Sequence, residues 1–272
     1  MKRFTLLLVA ATLLLTGTSF GWGRLGHAAI AKIAENHLTP KAKKQISEYL
    51  HGKSIIYYAS YPDDYRQHIL IDLGFEPSNG PRVTVWGHSF QANTDGSLYH
   101  GERRGTEYVK NCTGRIAAVI DDFSKNHREM SDSARIVSLA FMVHIVGDIH
   151  CPKHVRYTDE PTSGGYSIVF RGQEVSYHAY WDGLLLKLFH QWGYQEIASL
   201  LDICDKKQRA ELMEGDIYTW AEDTARRSRY TVANKPGTNI TRDMSNRDIV
   251  HAEEQIQRAG YRLAALLNSV FK

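Results

Sequence analysis

Two pairs, each a histidine and a carboxylate with the same spacing, stand in the second half of the chain. His144 and Asp148 are four residues apart in an apolar run, and His178 and Asp182 repeat that spacing. On a helix, residues four apart lie on the same face, one turn from each other. A histidine nitrogen and a carboxylate oxygen presented on one face are ligands for a borderline-soft cation such as zinc.

A single pair of this kind has a simpler interpretation, a core histidine hydrogen-bonded to its helix neighbour. Two pairs weaken that interpretation, because carboxylates buried in an apolar interior are costly unless a cation binds them. Other candidate ligands lie elsewhere in the sequence. They are His27 close behind Trp22, Asp63 in an aromatic-rich segment, His88 between aromatic residues, and His154.

The first residues have the three-part form of a secretory signal. Two basic residues precede an apolar run from Leu6 to Leu15, and small residues follow up to Gly21. An apolar stretch of about 7–15 residues suits a cleaved leader better than a membrane span, which needs about 20. We predict that residues 1–21 are a signal peptide and that cleavage leaves Trp22 first. A neutral α-amino group binds metal together with its own carbonyl oxygen.

Composition excludes several classes of protein. The chain has 272 residues, 43% hydrophobic and 23% charged, which is typical of a globular protein and not of a disordered or fibrous one. Without the leader, 31 of the 33 basic residues remain against 30 acidic ones, too balanced for a protein that coats duplex nucleic acid. Cys112, Cys151 and Cys204 are too few for a disulfide scaffold, so we expect buried thiols or one disulfide. The leader predicts a secreted or periplasmic protein.

Helical patterns dominate the remaining sequence. The apolar segment that holds His144 should be central and buried. Alternation between Tyr166 and Val175 predicts a small β-hairpin, and residues 72–104 have the composition of a long surface loop. We predict that residues 22–272 form a single mainly α-helical domain, a helical bundle with a small β-hairpin. The predicted helices are Gly26 to His37, Pro40 to about His51, about Gly105 to Asn126, about Ser131 to His150, the region from Tyr177 to His190, and Asn246 to Phe271.

Taken in order, these pieces resemble the S1/P1 nuclease family, which are zinc-dependent single-strand nucleases related to bacterial phospholipase C. Each piece is weak alone, and the whole series is specific. The pieces are Trp-Gly-x-x-Gly-His from Trp22 to His27, Ser60-Tyr61-Pro62-Asp63 followed by Arg66, then His88, the block of His144, Asp148, His150, Pro152 and His154, and finally His178 with Asp182.

The resemblance implies three zinc ions per chain, with Asp148 shared between two of them. It also implies a catalytic role for Asp63, Arg66 and Asp148, and the planar donors of Arg66 suit a phosphate. The implied ligand sets are Trp22, His27 and Asp148 for one ion, Asp63, His88, His144 and Asp148 for the second, and His154, His178 and Asp182 for the third.

Recognition of the base departs from the family pattern. An aromatic residue that stacks on a base often follows the ligand histidine in the family, and here that position is Ser89. Because stacking tolerates any base, Phe90 or Tyr61 are candidate substrate contacts instead. Packing roles are the alternative for both side chains.

The resemblance implies hydrolysis of phosphodiester bonds in single-stranded DNA and RNA, with metal-activated hydroxide attacking phosphorus. The expected products carry 5′-phosphates, and 3′-nucleotides are further expected substrates. We expect a monomer, with no stable protein partner and no membrane association once the leader is removed.

Two other functions stay open. A zinc-dependent phospholipase C is disfavoured by the short interval from Trp22 to His27 and by Asp182 where a glutamate is expected. A catalytically silent, secreted zinc-binding protein is disfavoured by the complete ligand set.

Overall fold

The mainly α-helical fold is confirmed. Most described residues lie in helices, and the strands are short. No helix within the described part of the chain is both long and apolar enough to cross a lipid bilayer. The predicted signal peptide falls outside the described residues. The computed structural model describes residues 22–64, 88–99, 112–160 and 165–272.

Four helices lie within residues 22–64. The predicted start of the second of these helices is confirmed. The hydroxyl of Thr39 accepts a hydrogen bond from the backbone N–H of Ala42 at 3.2 Å, and Pro40 holds the first helical position. The hydroxyl satisfies one of the free N–H groups at this end, and proline has no N–H that would need a partner. The helices are α1 (Gly23–Asn36), α2 (Pro40–Tyr49), α3 (Ile55–Tyr58) and α4 (Tyr61–Asp64).

The central helices are α5 (Cys112–Asn126) and α6 (Asp132–Asp148). The beginning of the helix predicted from Gly105 lies outside the described residues. The hydroxyl of Ser131 caps α6 by accepting the N–H of Ala134 at 3.2 Å. Every residue of α6 from 137 to 148 is buried, which confirms the predicted central position of this helix.

A π-helical turn, Tyr180–Leu184, interrupts the helical region predicted between residues 177 and 190. The backbone of Gly183 is not helical, and Asp182 lies inside this turn. π-Helical turns are rare in proteins, and those that occur are often found at functional sites. The helices after α6 are α7 (Tyr177–Ala179), α8 (Leu185–Phe189), α9 (Tyr194–Leu201), α10 (Lys206–Met213), α11 (Ile217–Ser228) and α12 (Arg242–Val270), with 3-10 turns at Pro152–His154 and Arg229–Ala233.

The long helix α12 packs closely against α1. A Cβ atom on Gly260 would lie 2.6 Å from the Cβ of Ile33 and 3.3 Å from the carbonyl oxygen of Ile30. Only glycine permits this approach of the two backbones without a shift. Both helices also contact α6, so the core surrounds the helix that carries His144 and Asp148.

The predicted hairpin is confirmed. Strands β3 (Ser167–Phe170) and β4 (Gln173–Ser176) pair antiparallel. Arg171 and Gly172 supply the two positive φ values, 53° and 76°, that a two-residue hairpin turn requires. A further short strand, β5 (Asn239–Ile240), pairs in parallel with β3.

A second small sheet lies beside the candidate ligands. Strand β1 (Phe90–Ala92) pairs in parallel with β2 (Val155–Tyr157), and Phe90 stands opposite Val155. His88 precedes β1 and His154 precedes β2. The pairing therefore brings together two residues that are 66 positions apart.

Candidate metal centre

Helix α6 presents His144 and Asp148 on one face, as their spacing predicts. Both side chains are fully buried, and Nε2 of His144 lies 3.3 Å from Oδ2 of Asp148. Asp63, from α4, places its Oδ1 3.5 Å from the same nitrogen. A histidine thus stands between two carboxylates in the interior.

Helix α1 contributes His27 to the other side of Asp148. The Nε2 atom of His27 lies 3.3 Å from Oδ1 of Asp148, and its ring stacks on that of His144 with centroids 4.0 Å apart. Gly147 makes room for the ring, because a Cβ atom there would be 2.8 Å from Nδ1 of His27. One ligand atom each from His27, Asp63 and His144 lies within 4.8 Å of the others.

Trp22 anchors the beginning of the described chain at this site. Its side chain is fully buried, and the indole Nε1–H donates to the carbonyl oxygen of Gly147 at 3.0 Å. The carbonyl oxygen of Trp22 accepts the N–H of Gly26 at 3.2 Å. Trp22, the residue predicted to become the new N-terminus, is therefore hydrogen-bonded to the residue that directly precedes Asp148 in α6.

A second group forms around His154, on the 3-10 turn after α6. The rings of His154 and His178 stack, with centroids 4.9 Å apart, and Nε2 of His178 lies 3.1 Å from Oδ2 of Asp182. Nε2 of His154 lies 3.8 Å from Oδ1 of Asp182, and its Nδ1 lies 3.7 Å from Oδ1 of Asp148. Asp148 therefore faces both groups.

His88 stands next to this second group. Its ring centroid is 4.7 Å from that of His154 and 6.3 Å from that of His178, and these three residues bring ligand atoms within 4.8 Å of one another. The resemblance assigns His88 to the ion held by His144 and Asp63. Both of these residues influence the pKa of His88, so it lies at the boundary of the two groups.

Backbone carbonyl oxygens fix the orientation of the histidine rings. Nδ1–H of His144 donates to Ala59 at 2.8 Å, and Nδ1–H of His154 donates to His88 at 2.9 Å. A carbonyl oxygen only accepts, so each bond fixes a proton on Nδ1 and turns Nε2 towards the centre. Ligand histidines in metal sites are oriented in this way.

Burial controls the protonation of most of these rings. It lowers the pKa of His88 and of His178 to about 4, and it also lowers the pKa of His27 and His154. A neutral imidazole is the form that binds a metal. The centre is thus electrostatically prepared to accept a cation.

In His144 and Asp148, the neighbouring charges affect the pKa more than burial does. Burial lowers the pKa of His144, but Asp148 and Asp63 outweigh it and raise the value well above 6.5. Burial raises the pKa of Asp148, but His144 and His154 outweigh it and hold the value well below 3.8. The two carboxylates attract positive charge, and a bound cation would take the place of the proton on His144.

The S1/P1 Nuclease family profile matches residues 22–272. The chain belongs to the S1/P1 nuclease family. It is therefore a hydrolase that acts on the phosphodiester bonds of nucleic acids. The match includes every residue of the two groups around Asp148.

Known proteins of this family are distant in sequence. Nuclease S1 of Aspergillus oryzae is 23% identical over 299 aligned positions that cover 96% of each chain. Endonuclease 4 of Arabidopsis thaliana is 21% identical over 92% of this chain and 89% of its own. Nuclease P1 of Penicillium citrinum is 27% identical over 59% of this chain and 57% of its own.

The buried polar atoms of the S1/P1 nuclease centre fit a metal. Both nitrogens of His27, both carboxylate oxygens of Asp148 and Nε2 of His154 are buried without a hydrogen bond of normal geometry among the described residues. Unsatisfied polar atoms in an interior cost roughly 1–3 kcal/mol each. Nitrogen and carboxylate oxygen ligands are those that zinc uses in proteins, and a bound cation would satisfy these atoms.

Two predicted substrate contacts have different outcomes. Phe90 is fully buried in β1, so its ring has no face open to a base, and its position favours the packing role over stacking. Tyr61 is half-buried at the start of α4, and its ring lies 5.9 Å from that of Tyr58. Arg66, predicted to contact phosphate, lies outside the described residues.

The thiol of Cys151, to which the sequence pattern assigns no specific function, lies at the second group. Sγ of Cys151 lies 3.8 Å from Oδ1 of Asp182, to which the S–H group donates. Cys151 and Cys204 are free thiols. The signal available in the sequence was the position of Cys151 between Asp148 and His154.

Proposed function

We propose that the protein is a secreted, zinc-dependent endonuclease that hydrolyses single-stranded DNA and RNA to products with 5′-phosphates and also releases phosphate from 3′-nucleotides. The observation that carries this proposal is the position of Asp148. One oxygen of this carboxylate faces His27 and His154, and the other faces His144. A single buried side chain thereby lies between the two groups of candidate ligands and contacts members of both.

Trp22, His27 and Asp148 would hold one zinc ion, Asp63, His88, His144 and Asp148 a second, and His154, His178 and Asp182 a third. Zinc supplies Lewis-acid activation of the phosphoryl group and lowers the pKa of water to about 7. Burial favours the neutral form of the other candidate histidines, and a cation would displace the proton on His144. Backbone carbonyls already orient His144 and His154, so little reorganisation would accompany loading. The carboxylates of Asp63, Asp148 and Asp182 would balance part of the charge of the ions. We propose that Arg66 contacts the phosphate.

The test uses protein cleaved before Trp22, so that the α-amino group is free. We expect about three zinc ions per chain by elemental analysis, cleavage of single-stranded DNA and RNA, and 5′-phosphate ends. Asp148→Asn should lose bound zinc and lower activity at least about 100-fold, while its circular dichroism stays that of a helical protein.

Each other outcome contradicts a defined part of the proposal. Bound zinc with hydrolysis of a choline phospholipid instead of nucleic acid would indicate a phospholipase. Bound zinc without turnover of either substrate would indicate a silent binding protein. Absence of tightly bound metal would contradict the assignment of the centre itself.

A further inference from the structure

Three tyrosines of α3 and α4 form a series of ring contacts that leads along the chain towards Asp63. We name Tyr57, Tyr58 and Tyr61 the tyrosine ladder. The ring centroids of Tyr57 and Tyr58 are 5.0 Å apart, and those of Tyr58 and Tyr61 are 5.9 Å apart. Tyr57 is 67% exposed, whereas Tyr58 is 6% exposed. The ladder therefore has an exposed outer end at Tyr57, a buried middle at Tyr58 and a half-buried inner end at Tyr61.

The inner end is part of the backbone that builds the metal centre. Ala59, between the ladder residues, accepts the hydrogen bond that orients His144. Asp63 lies two residues beyond Tyr61 in α4 and contacts the same histidine. The ladder and the ligands are thus rigidly connected over a few residues. Tyr57 is six residues before Asp63 in the chain, so their Cα atoms are at most about 20 Å apart, a distance that an oligonucleotide with one phosphate at the metal centre can span.

A lysine stands at the open end. Nζ of Lys53 lies 4.3 Å from the ring centroid of Tyr57 and 5.9 Å from that of Tyr58. The cation–π contact holds the Tyr57 ring in place although most of it is exposed. It also fixes a positive charge beside an aromatic surface. An exposed aromatic ring and a cation are the two elements with which proteins bind single-stranded nucleic acid independently of sequence.

We propose that Tyr57 and Lys53 form a strand-binding subsite for single-stranded DNA or RNA, in which Tyr57 stacks on a base outside the cleaved linkage and Lys53 binds a phosphate. The inference rests on the proposed nuclease function. Its distinctive consequence is a dependence on chain length. A 3′-mononucleotide occupies the metal centre without reaching the subsite, whereas an oligonucleotide occupies both.

The experiment measures kcat and KM of the zinc-loaded enzyme for a 3′-mononucleotide and for an oligothymidylate of about twelve nucleotides. Tyr57→Ala should raise KM for the oligonucleotide about tenfold, because stacking contributes about that factor per base. Its kcat, and both constants for the mononucleotide, should stay unchanged. Lys53→Gln should reduce the slope of log(kcat/KM) against log salt by about 0.7 for the oligonucleotide, the value for one lost phosphate contact.

Matched controls are Tyr218→Ala, at another exposed tyrosine, and Lys207→Gln, at an exposed lysine of α10. An unchanged KM and salt slope in the Tyr57 and Lys53 variants would overturn the inference while leaving the proposed function intact. Equal losses on both substrates would also overturn it, because they indicate a structural role. Failure of the wild-type enzyme to cleave either substrate would overturn the proposed function and this subsite with it.

Discussion

Nζ of Lys153 lies 2.6 Å from Oε1 of Glu160, and the two side chains are 0% and 2% exposed. This buried ion pair stands directly beside the second ligand group. Lys153 precedes His154 in the chain, and its backbone makes a hydrogen bond with His178. The pair therefore holds a segment that orients two candidate ligands at once.

Breaking this pair should destabilise the protein strongly. In Glu160→Gln the ammonium of Lys153 stays buried without its counter-charge, which costs about 3–5 kcal/mol in the free energy of unfolding. Urea denaturation measures the change. Replacing both partners, with Lys153→Met and Glu160→Leu together, should recover most of the loss because no charge is then buried.

The matched control is Glu211→Gln in the exposed pair of Lys207 and Glu211, whose charged atoms are 3.9 Å apart. We expect a change within about 0.5 kcal/mol there. If Glu160→Gln were as mild as this control, the buried pair would not hold the ligand segment.

Gly147→Ala should weaken zinc binding. The added Cβ would lie 2.8 Å from Nδ1 and 3.0 Å from Cε1 of His27, so the ring must leave its position. Alanine is favoured over glycine in a helix by about 1 kcal/mol, so the substitution should not destabilise the helix itself. We expect a loss of zinc affinity of about 10- to 100-fold, measured by competition with a chromophoric chelator. Affinity equal to that of Ser133→Ala, at an exposed position on α6, would contradict the contact.

Cys151 should be chemically inert in the folded protein. Burial and the neighbouring Asp182 carboxylate raise the pKa of its thiol well above 9.0, so little thiolate forms. We expect iodoacetamide to alkylate the half-buried Cys204 far faster than Cys151. Peptide mass spectrometry after timed quenching measures both rates. In urea the two thiols should react alike, and similar rates in the native protein would disprove the protection.

Asp223 should contribute stability that is lost in acid. Burial raises the pKa of its carboxyl, but hydrogen bonds and charges from Arg262 and Arg227 outweigh burial and lower the value below 3.8. A carboxyl with a lowered pKa stabilises the folded state above its unfolded pKa and loses that contribution as pH falls through the folded value.

The difference in unfolding free energy between wild type and Asp223→Asn should therefore be largest near neutral pH and shrink below about pH 4. Groups that titrate in both proteins cancel in this difference. Asp121→Asn, at an exposed pair with Lys125, is the control and should show little difference at any pH. A difference for Asp223→Asn that is constant with pH would contradict the lowered pKa.

The sequence predicted those parts of the site in which the ligands are close together in the chain and lie on one helix. The four-residue spacing of His144 and Asp148 determines their common helix face, and the cap at Ser131 and the apolar run determine the helix. The distant members, Asp63, His88 and His27, followed from family resemblance. Spacing alone carries no information on residues that meet only through tertiary packing.

Other features depended on that packing entirely. The pairing of Lys153 with Glu160 and the strand β5 join segments whose contact no local pattern encodes. The π-helical turn around Asp182 has the composition of an ordinary helix, so periodicity predicts the helix and misses the interruption. The sequence leaves Phe90 open to both stacking and packing, because the burial of a single aromatic residue in an irregular segment cannot be inferred from its neighbours.

The short parallel pairing of β1 with β2 sets the spacing between two candidate ligands. Phe90 opposite Val155 places His88 beside His154, and the carbonyl oxygen of His88 accepts a hydrogen bond from Nδ1–H of His154. A slip of one residue in this register would turn every side chain of the slipped strand to the opposite face. The register of this sheet therefore determines the relative positions of His88 and His154 in the metal centre. Substitutions that weaken it should present as defects in metal retention before they present as defects in folding.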